Sequence, residues 1–148
     1  MRQPRNVLVV PFRQTPTGIQ YLLLKRASGQ YWQFVAGGVE DEESTGQTAA
    51  REAAEEIGVA GQPFALSSIA AVPKIHFDAS ASWPDDVFIV REYAFAIDVG
   101  DAQITLSDEH SAHGWCAYDE AADLLKWDSN RTAMWELRER MKARIRLL

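Results

Sequence analysis

The chain has one cysteine, Cys116, among 148 residues, so no internal disulfide can form and a reducing, cytoplasmic setting is expected. It has no excess of basic residues: 15 Lys and Arg stand against 21 Asp and Glu, a formal net charge of −6. Without a basic patch to neutralise phosphates over a long footprint, binding to nucleic-acid polymers or anionic membranes is not expected. No stretch approaches the roughly 20 apolar residues of a membrane span. The opening MRQPRNVLVVPF carries too short an apolar run for a signal peptide. Internal repeats and low-complexity linkers are also missing, which points to one domain over residues 1–148. Its 47% of hydrophobic residues suffice for a core.

What the sequence does have is concentrated between Gly37 and Val59, in GGVEDEESTGQTAAREAAEEIGV. A glycine pair leads through an acidic loop into a helix, with Thr45 expected as its N-cap and Gly58 as the residue that stops it. At about 100° per residue, Arg51, Glu52, Glu55 and Glu56 fall on one face of that helix. Ala50, Ala53, Ala54 and Ile57 fall on the other and can pack on a sheet. Glu52 faces Glu55 and Glu56 at spacings where like charges repel by roughly 0.2 to 0.5 kcal/mol per pair. A cation should compensate them, and oxygen donors on one helical face suit Mg²⁺ or Mn²⁺. A plainly solvated acidic face is the other reading that the helix alone allows.

The spacing resembles the signature of Nudix hydrolases, G-x5-E-x7-R-E-U-x-E-E-x-G-U with U a bulky apolar residue. Gly37, Glu43, Arg51, Glu52, Glu55, Glu56 and Gly58 occupy its seven polar and glycine positions. Ala53, smaller than the usual aliphatic, is the one departure and bears on packing more than on chemistry. The resemblance implies an α/β/α sandwich with a mixed sheet. It also implies hydrolysis of a phosphoanhydride in a nucleoside diphosphate linked to another group. In that reading Glu52, Glu55 and Glu56 bind the metal, joined by the Gly37 carbonyl, while Arg51 and Glu43 brace the loop against the helix and serve catalysis by that support. Members often place a further acid six residues before a late tryptophan. Here that is Glu109 before Trp115, as metal ligand, general base or merely a solvated loop carboxylate, with Asp108 competing.

Around this segment, residues 6–13 and 19–26 read as two strands joined by a turn at 14–18, and residues 31–36 as a short strand ending at the glycine pair. Residues 64–77 and 87–99 read as longer strands flanking a polar loop with Trp83-Pro84. Residues 115–118 read as a last strand, and Asp119 as the cap of a short helix to Leu125. Asp128 or Ser129 opens a C-terminal helix reaching about Arg146, whose Ala133, Met134, Leu137 and Met141 form a core stripe. Arg26, at a strand end, is either a phosphate ligand or a solvated charge. Phe34 is expected in the core and Trp32 is core or a stacking ring, while His76, His110 and His113 read as surface residues.

Tyr31-Trp32-Gln33, Asp108-Glu109-His110 and Trp127-Asp128-Ser129-Asn130-Arg131 resemble dihydroneopterin triphosphate pyrophosphatases and dATP pyrophosphohydrolases within the family. That likeness implies that Ser129, Asn130 and Arg131 lie near the ligand; otherwise Ser129-Asn130 simply caps the last helix. Ala36 replaces the proline common before the glycines in members that sanitise oxidised guanine nucleotides. The expected activity is Mg²⁺-dependent conversion of a nucleoside triphosphate or dihydroneopterin triphosphate to the monophosphate and pyrophosphate. A dinucleoside polyphosphate or nucleotide-sugar hydrolase and an inactive nucleotide-binding sensor are the alternatives. The expected partner is a small phosphoanhydride substrate, with the protein a monomer or homodimer.

Overall fold

A continuous apolar run at residues 7–12, buried on both faces, builds β1 (Arg2–Thr15), which turns at residues 16–17 into β2 (Gly18–Arg26). The computed structural model describes residues 1–147, and side chains through residue 144. β3 (Trp32–Gln33) and β4 (Val35–Glu40) precede α1 (Thr45–Ile57); β5 (Phe64–Pro73) and β6 (Ile89–Asp98) follow it. β7 (His110–Cys116), α2 (Tyr118–Leu124) and α3 (Asp128–Leu147) complete the described chain.

β1 is the spine of one mixed sheet in the order β3-β2-β1-β6-β5. Its far half pairs antiparallel with β2 and its near half antiparallel with β4, while β6 runs parallel along its other edge from Arg5↔Arg91 to Phe12↔Asp98. β7 pairs antiparallel with β2 along the edge opposite β3. Because side chains alternate faces, Val7 and Val9 join Ala49, Ala53 and Ile57 of α1 in one core. Leu8, Val10 and Phe12 join Ala121 of α2 and Ala133, Met134, Leu137 and Met141 of α3 in the other. Each large apolar side chain so buried contributes about 1.5 to 3 kcal/mol. Helices on both faces of a mixed sheet make the α/β/α sandwich that the sequence implied.

Several boundaries differ from those expected. The glycine pair lies inside β4 instead of ending a strand, and Ser44, not Thr45, caps α1. β5 stops at Pro73, which has no amide to extend the ladder, and the chain continues in 3₁₀ turns at Lys74–His76 and Asp78–Ser82 instead of as strand to residue 77. The last strand starts at His110, five residues before the expected position. Ala117 occupies the N-cap of α2 with no side-chain cap, so Asp119 sits in the first turn.

Candidate active site

The phase of α1 is fixed at both ends. The Ser44 hydroxyl accepts from the Gln47 amide at 3.1 Å and the Gln47 side chain accepts from the Ser44 amide at 2.9 Å, a reciprocal capping box. Gly58 closes the helix at φ 69°, a left-handed conformation that favours glycine. Between these caps Ala49, Ala53 and Ile57 lie fully buried on the sheet, whereas Ala50 is only partly buried and Ala54, expected on that face, is exposed, because the buried face also takes in Glu52 and Glu56. The small residue at 53 lets the helix sit low. The acidic face is thereby turned toward β4.

Arg51 ties loop, strand and helix together. Its Nε donates to Glu43 Oε2 at 2.8 Å and its Nη2 to Glu43 Oε1 and the Gly38 carbonyl, both at 2.9 Å. Nη1 donates to Glu52 Oε1 at 2.9 Å and to Glu55 Oε2 at 3.3 Å. Glu43 also accepts from the Glu40 amide at 3.0 Å and the Thr48 hydroxyl at 3.1 Å. This fork, chiefly the Arg51 hydrogen bonds, holds the Glu43 carboxyl down to about 2 and raises the Arg51 guanidinium. The expected bracing pair is thus in contact. Glu55 is turned outward, its side chain 57% exposed and tied only to Arg51.

Glu52 and Glu56 stand one helical turn apart, nearly buried, with their carboxyls against one another. Burial above all, then the neighbouring carboxyls, pushes Glu56 far above the ordinary carboxylate range; burial also raises Glu52. Gly37 lies directly beneath: a Cβ there would fall 2.1 Å from the Glu52 carboxyl carbon. Glu109 and His110 arrive from the far end of β7, and one donor atom each from Glu56, Glu109 and His110 lies within 4.8 Å of the others. His110, expected at the surface, is instead 5% exposed, with Nε2 3.5 Å from Glu56 Oε1. Burial, and secondarily Arg26, holds its imidazole down to about 4, so it is neutral at physiological pH.

Both carboxyl oxygens of Glu56 and both ring nitrogens of His110 are buried without a hydrogen-bond partner. Unpartnered buried polar atoms of this kind are costly. Carboxylate oxygens, a nearby backbone carbonyl and a neutral imidazole fit a divalent cation, whose charge would reverse the unfavourable burial of Glu52 and Glu56.

A cleft of about 640 Å³ opens beside this cluster, its floor formed by Ala36, Gly37 and Gly38 and its walls by residues of β1, β5, β6 and α3. Of the residues singled out in the sequence, Arg26, Ser129 and Asn130 line it. Arg26 Nη1 lies 3.9 Å from Glu109 Oε2. Asn130 is 2% exposed and accepts the Phe34 amide at 2.8 Å, fastening α3 to the break between β3 and β4. Phe34 is fully buried, as expected, and Trp32 packs partly buried against the same core, outside the cleft lining. Arg131 donates to the Leu125 carbonyl and to Asp128, also away from the cleft. The sequence reading did not single out Asn6 and Glu92, or Gln33 and Trp127, as cleft residues. A polar position interrupting an apolar strand was the available signal for Asn6 and Glu92.

Comparison with known proteins gives a consistent result. The NUDIX domain family matches residues 2–136. Bis(5'-nucleosyl)-tetraphosphatase (asymmetrical) of Sus scrofa is 34% identical over 123 residues, covering 81% of this chain and 79% of that protein. Dihydroneopterin triphosphate diphosphatase of Escherichia coli K12 is 28% identical over 137 residues, covering 90% and 91%. Among solved structures, a candidate NUDIX hydrolase of Listeria monocytogenes is 44% identical with a TM-score of 0.86, covering 96% of this chain and 97% of that one.

Proposed function

The chain belongs to the NUDIX domain family, and from that premise we propose that it is a Mg²⁺-dependent pyrophosphohydrolase converting a nucleoside triphosphate or dihydroneopterin triphosphate to the monophosphate and pyrophosphate. Hydrolysis of phosphoanhydrides with divalent metals is the coarser statement that membership carries. The observation that supports the finer reading is the buried, unpartnered Glu56 carboxyl, one turn along α1 from the Glu52 carboxyl that packs on Gly37 in the lining of a cleft sized for one nucleoside or pterin.

In this reading Glu52, Glu56 and Glu109, with the Gly37 carbonyl, would hold the cation, and Glu55 would join from its exposed position when substrate is present. A bound divalent cation withdraws charge from phosphate oxygens and makes water a better nucleophile. Glu109, with a side chain 57% exposed, takes the proton from the attacking water. Neutral His110, with Nε2 3.5 Å from Glu56 Oε1 but no hydrogen bond to it, would complete the cation's surroundings or orient the Glu56 carboxyl once the cation is bound. Arg26 leaves Glu109 for a phosphate oxygen of the substrate, with a fork suited to it. Arg51 holds Gly38 and Glu43 so that β4 and α1 keep their spacing. Ser129 and Asn130 shape the ring end of the cleft. Trp32 and Arg131 act behind it, by packing and by closing the turn before α3.

A second reading, a dinucleoside polyphosphate hydrolase, is favoured by the name of the Sus scrofa relative. Chromatographic product analysis separates the two. Nucleoside triphosphates, dihydroneopterin triphosphate and dinucleoside polyphosphates would be incubated with Mg²⁺, with Mn²⁺ and with a chelator. Pyrophosphate plus a monophosphate in Mg²⁺ is expected; two phosphorylated fragments from a dinucleotide alone, or turnover in chelator, would overturn the proposal.

A further inference from the structure

Glu92 sits on β6 two residues before Ala94, on the face that α3 covers, and lines both the cleft and an adjoining cavity of about 420 Å³. Asn6 is its neighbour in the parallel register and donates Nδ2 to Glu92 Oε2 at 2.6 Å. The Asn6 oxygen accepts from Arg2 Nη2 at 3.0 Å, which fixes the orientation of the amide. The Ser129 hydroxyl, in the first turn of α3, accepts from Asn130 at 3.2 Å and is the other neutral group lining the same space as the carboxyl. Neither is charged, and burial raises the Glu92 carboxyl despite the Asn6 hydrogen bond. A half-buried carboxyl with no cation beside it costs stability, and nothing in the packing of the two cores requires it.

The space in front of Glu92 is shaped for a flat ring. Trp127 lines both cavities, and its orientation is set by the Nε1 hydrogen bond to Gln33 Oε1 at 3.1 Å and the edge contact with Tyr31 at 5.5 Å between centroids. Ala71 and Val72 of β5 add apolar surface to the same lining. An aromatic face, an apolar face and an acceptor group at the end are what a heterocycle stacks on and hydrogen-bonds to.

An ionised carboxyl only accepts, through about four lone-pair sites on two oxygens, of which Asn6 engages one. We infer that Glu92 selects the ring of the substrate: its carboxylate accepts the two adjacent N–H groups of a 2-amino-4-oxopyrimidine edge, which guanine and pterins share and adenine lacks. Adenine offers one donor and one ring-nitrogen acceptor on the corresponding edge, so a carboxylate would meet a lone pair. Mismatches of that kind leave buried polar groups unpaired and cost ligands one or more orders of magnitude in affinity. The inference rests on the pyrophosphohydrolase reading for the identity of the cleft as the substrate site.

The test is calorimetric titration of the wild type with guanosine monophosphate, neopterin and adenosine monophosphate in Mg²⁺, repeated for Glu92→Gln and Glu92→Asp. Guanine and pterin should bind at least about 10-fold more tightly than adenine. Glu92→Gln, which puts a donor where an acceptor stood, should erase that preference. Glu92→Asp withdraws the charge by one methylene and should weaken binding while keeping the order, so it reports even if the glutamine variant folds poorly. Equal or tighter binding of adenosine monophosphate by the wild type, no binding of any ring, or an unchanged preference in Glu92→Gln would overturn the inference. If the ring preference holds but triphosphates yield no pyrophosphate, only the proposed reaction fails.

Discussion

Replacing Glu56 by Gln should stabilise the metal-free protein and abolish its response to Mg²⁺. The Glu56 carboxyl is held far above its ordinary 4.5, first by burial and then by Glu52 and Glu109. The metal-free native state therefore keeps a proton there that the unfolded chain has released. This cost is absent below 4.5 and grows as pH rises above it, by about 1.4 kcal/mol per unit until the folded value is reached. At a pH of about 7.5 the ceiling is about 4 kcal/mol. Sharing of the charge between Glu52 and Glu56 and relaxation around them reduce it to about 2 kcal/mol. The amide of Gln fills the same space without titrating, and its unpartnered polar atoms match those of the protonated acid. For a domain of this size the gain corresponds to a melting temperature higher by about 6 °C. Saturating Mg²⁺ reverses the order, because about 100-fold excess over Kd stabilises the wild type by about 2.7 kcal/mol and the variant hardly at all. The assay is thermal unfolding of both proteins in chelator and in Mg²⁺ across pH. A variant that melts below wild type in chelator at neutral pH would refute the reasoning. So would a gap that does not shrink toward pH 5.

Arg51→Ala strips Glu43 of its fork and should lower stability by about 1 to 3 kcal/mol. Glu43 stability, present above 4.5 and lost as pH falls toward about 2 in the wild type, should no longer shape the variant's acid limb; denaturant midpoints between those limits would show it. Gly37→Ala sets a methyl 2.1 Å from the Glu52 carboxyl carbon, so Mg²⁺ affinity by calorimetry should fall at least about 10-fold with little change in the chelated melting temperature. Asn130→Ala leaves the buried Phe34 amide without its 2.8 Å acceptor; a loss of about 1 to 3 kcal/mol in chemical unfolding is expected, together with a raised KM.

The reach of the sequence varied by element, for physical reasons. The faces of α1 were read only in part, since Ala54 is exposed and Glu52 and Glu56 share the buried face with Ala49, Ala53 and Ile57, but the helix was legible to its last residue, because a 3.6 period and a left-handed glycine are local signals. Its first residue was not: Ser44 and Thr45 can each cap, and what favours Ser44 is Gln47 three residues on, which completes the reciprocal pair. Glycines 37 and 38 suggested a turn, yet they pair with Val7 and Asn6 in a strand, and glycine stands there because the Glu52 carboxyl fills the Cβ space of one and the Arg2 guanidinium that of the other. His110 looked like a surface residue because its burial depends on Glu56, which only the fold brings near. Arg26, Ser129 and Asn130 were recognisable as cleft candidates, whereas Glu92 became so only once α3 covered β6.

The hydrogen bond from the Phe34 amide to Asn130 joins residues 96 apart, and the spine strand β1 waits for β6, whose partner residues 91–98 lie in the second half of the chain. During synthesis the segment bearing the glutamates leaves the ribosome well before either partner exists, and pairings so distant in sequence form late. A nascent chain therefore displays its acidic helix with no wall to hold a ring against it. In the proposed reading competence would arrive with the docking of the last helix, and a truncated or stalled product would lack the α3 wall of the cleft.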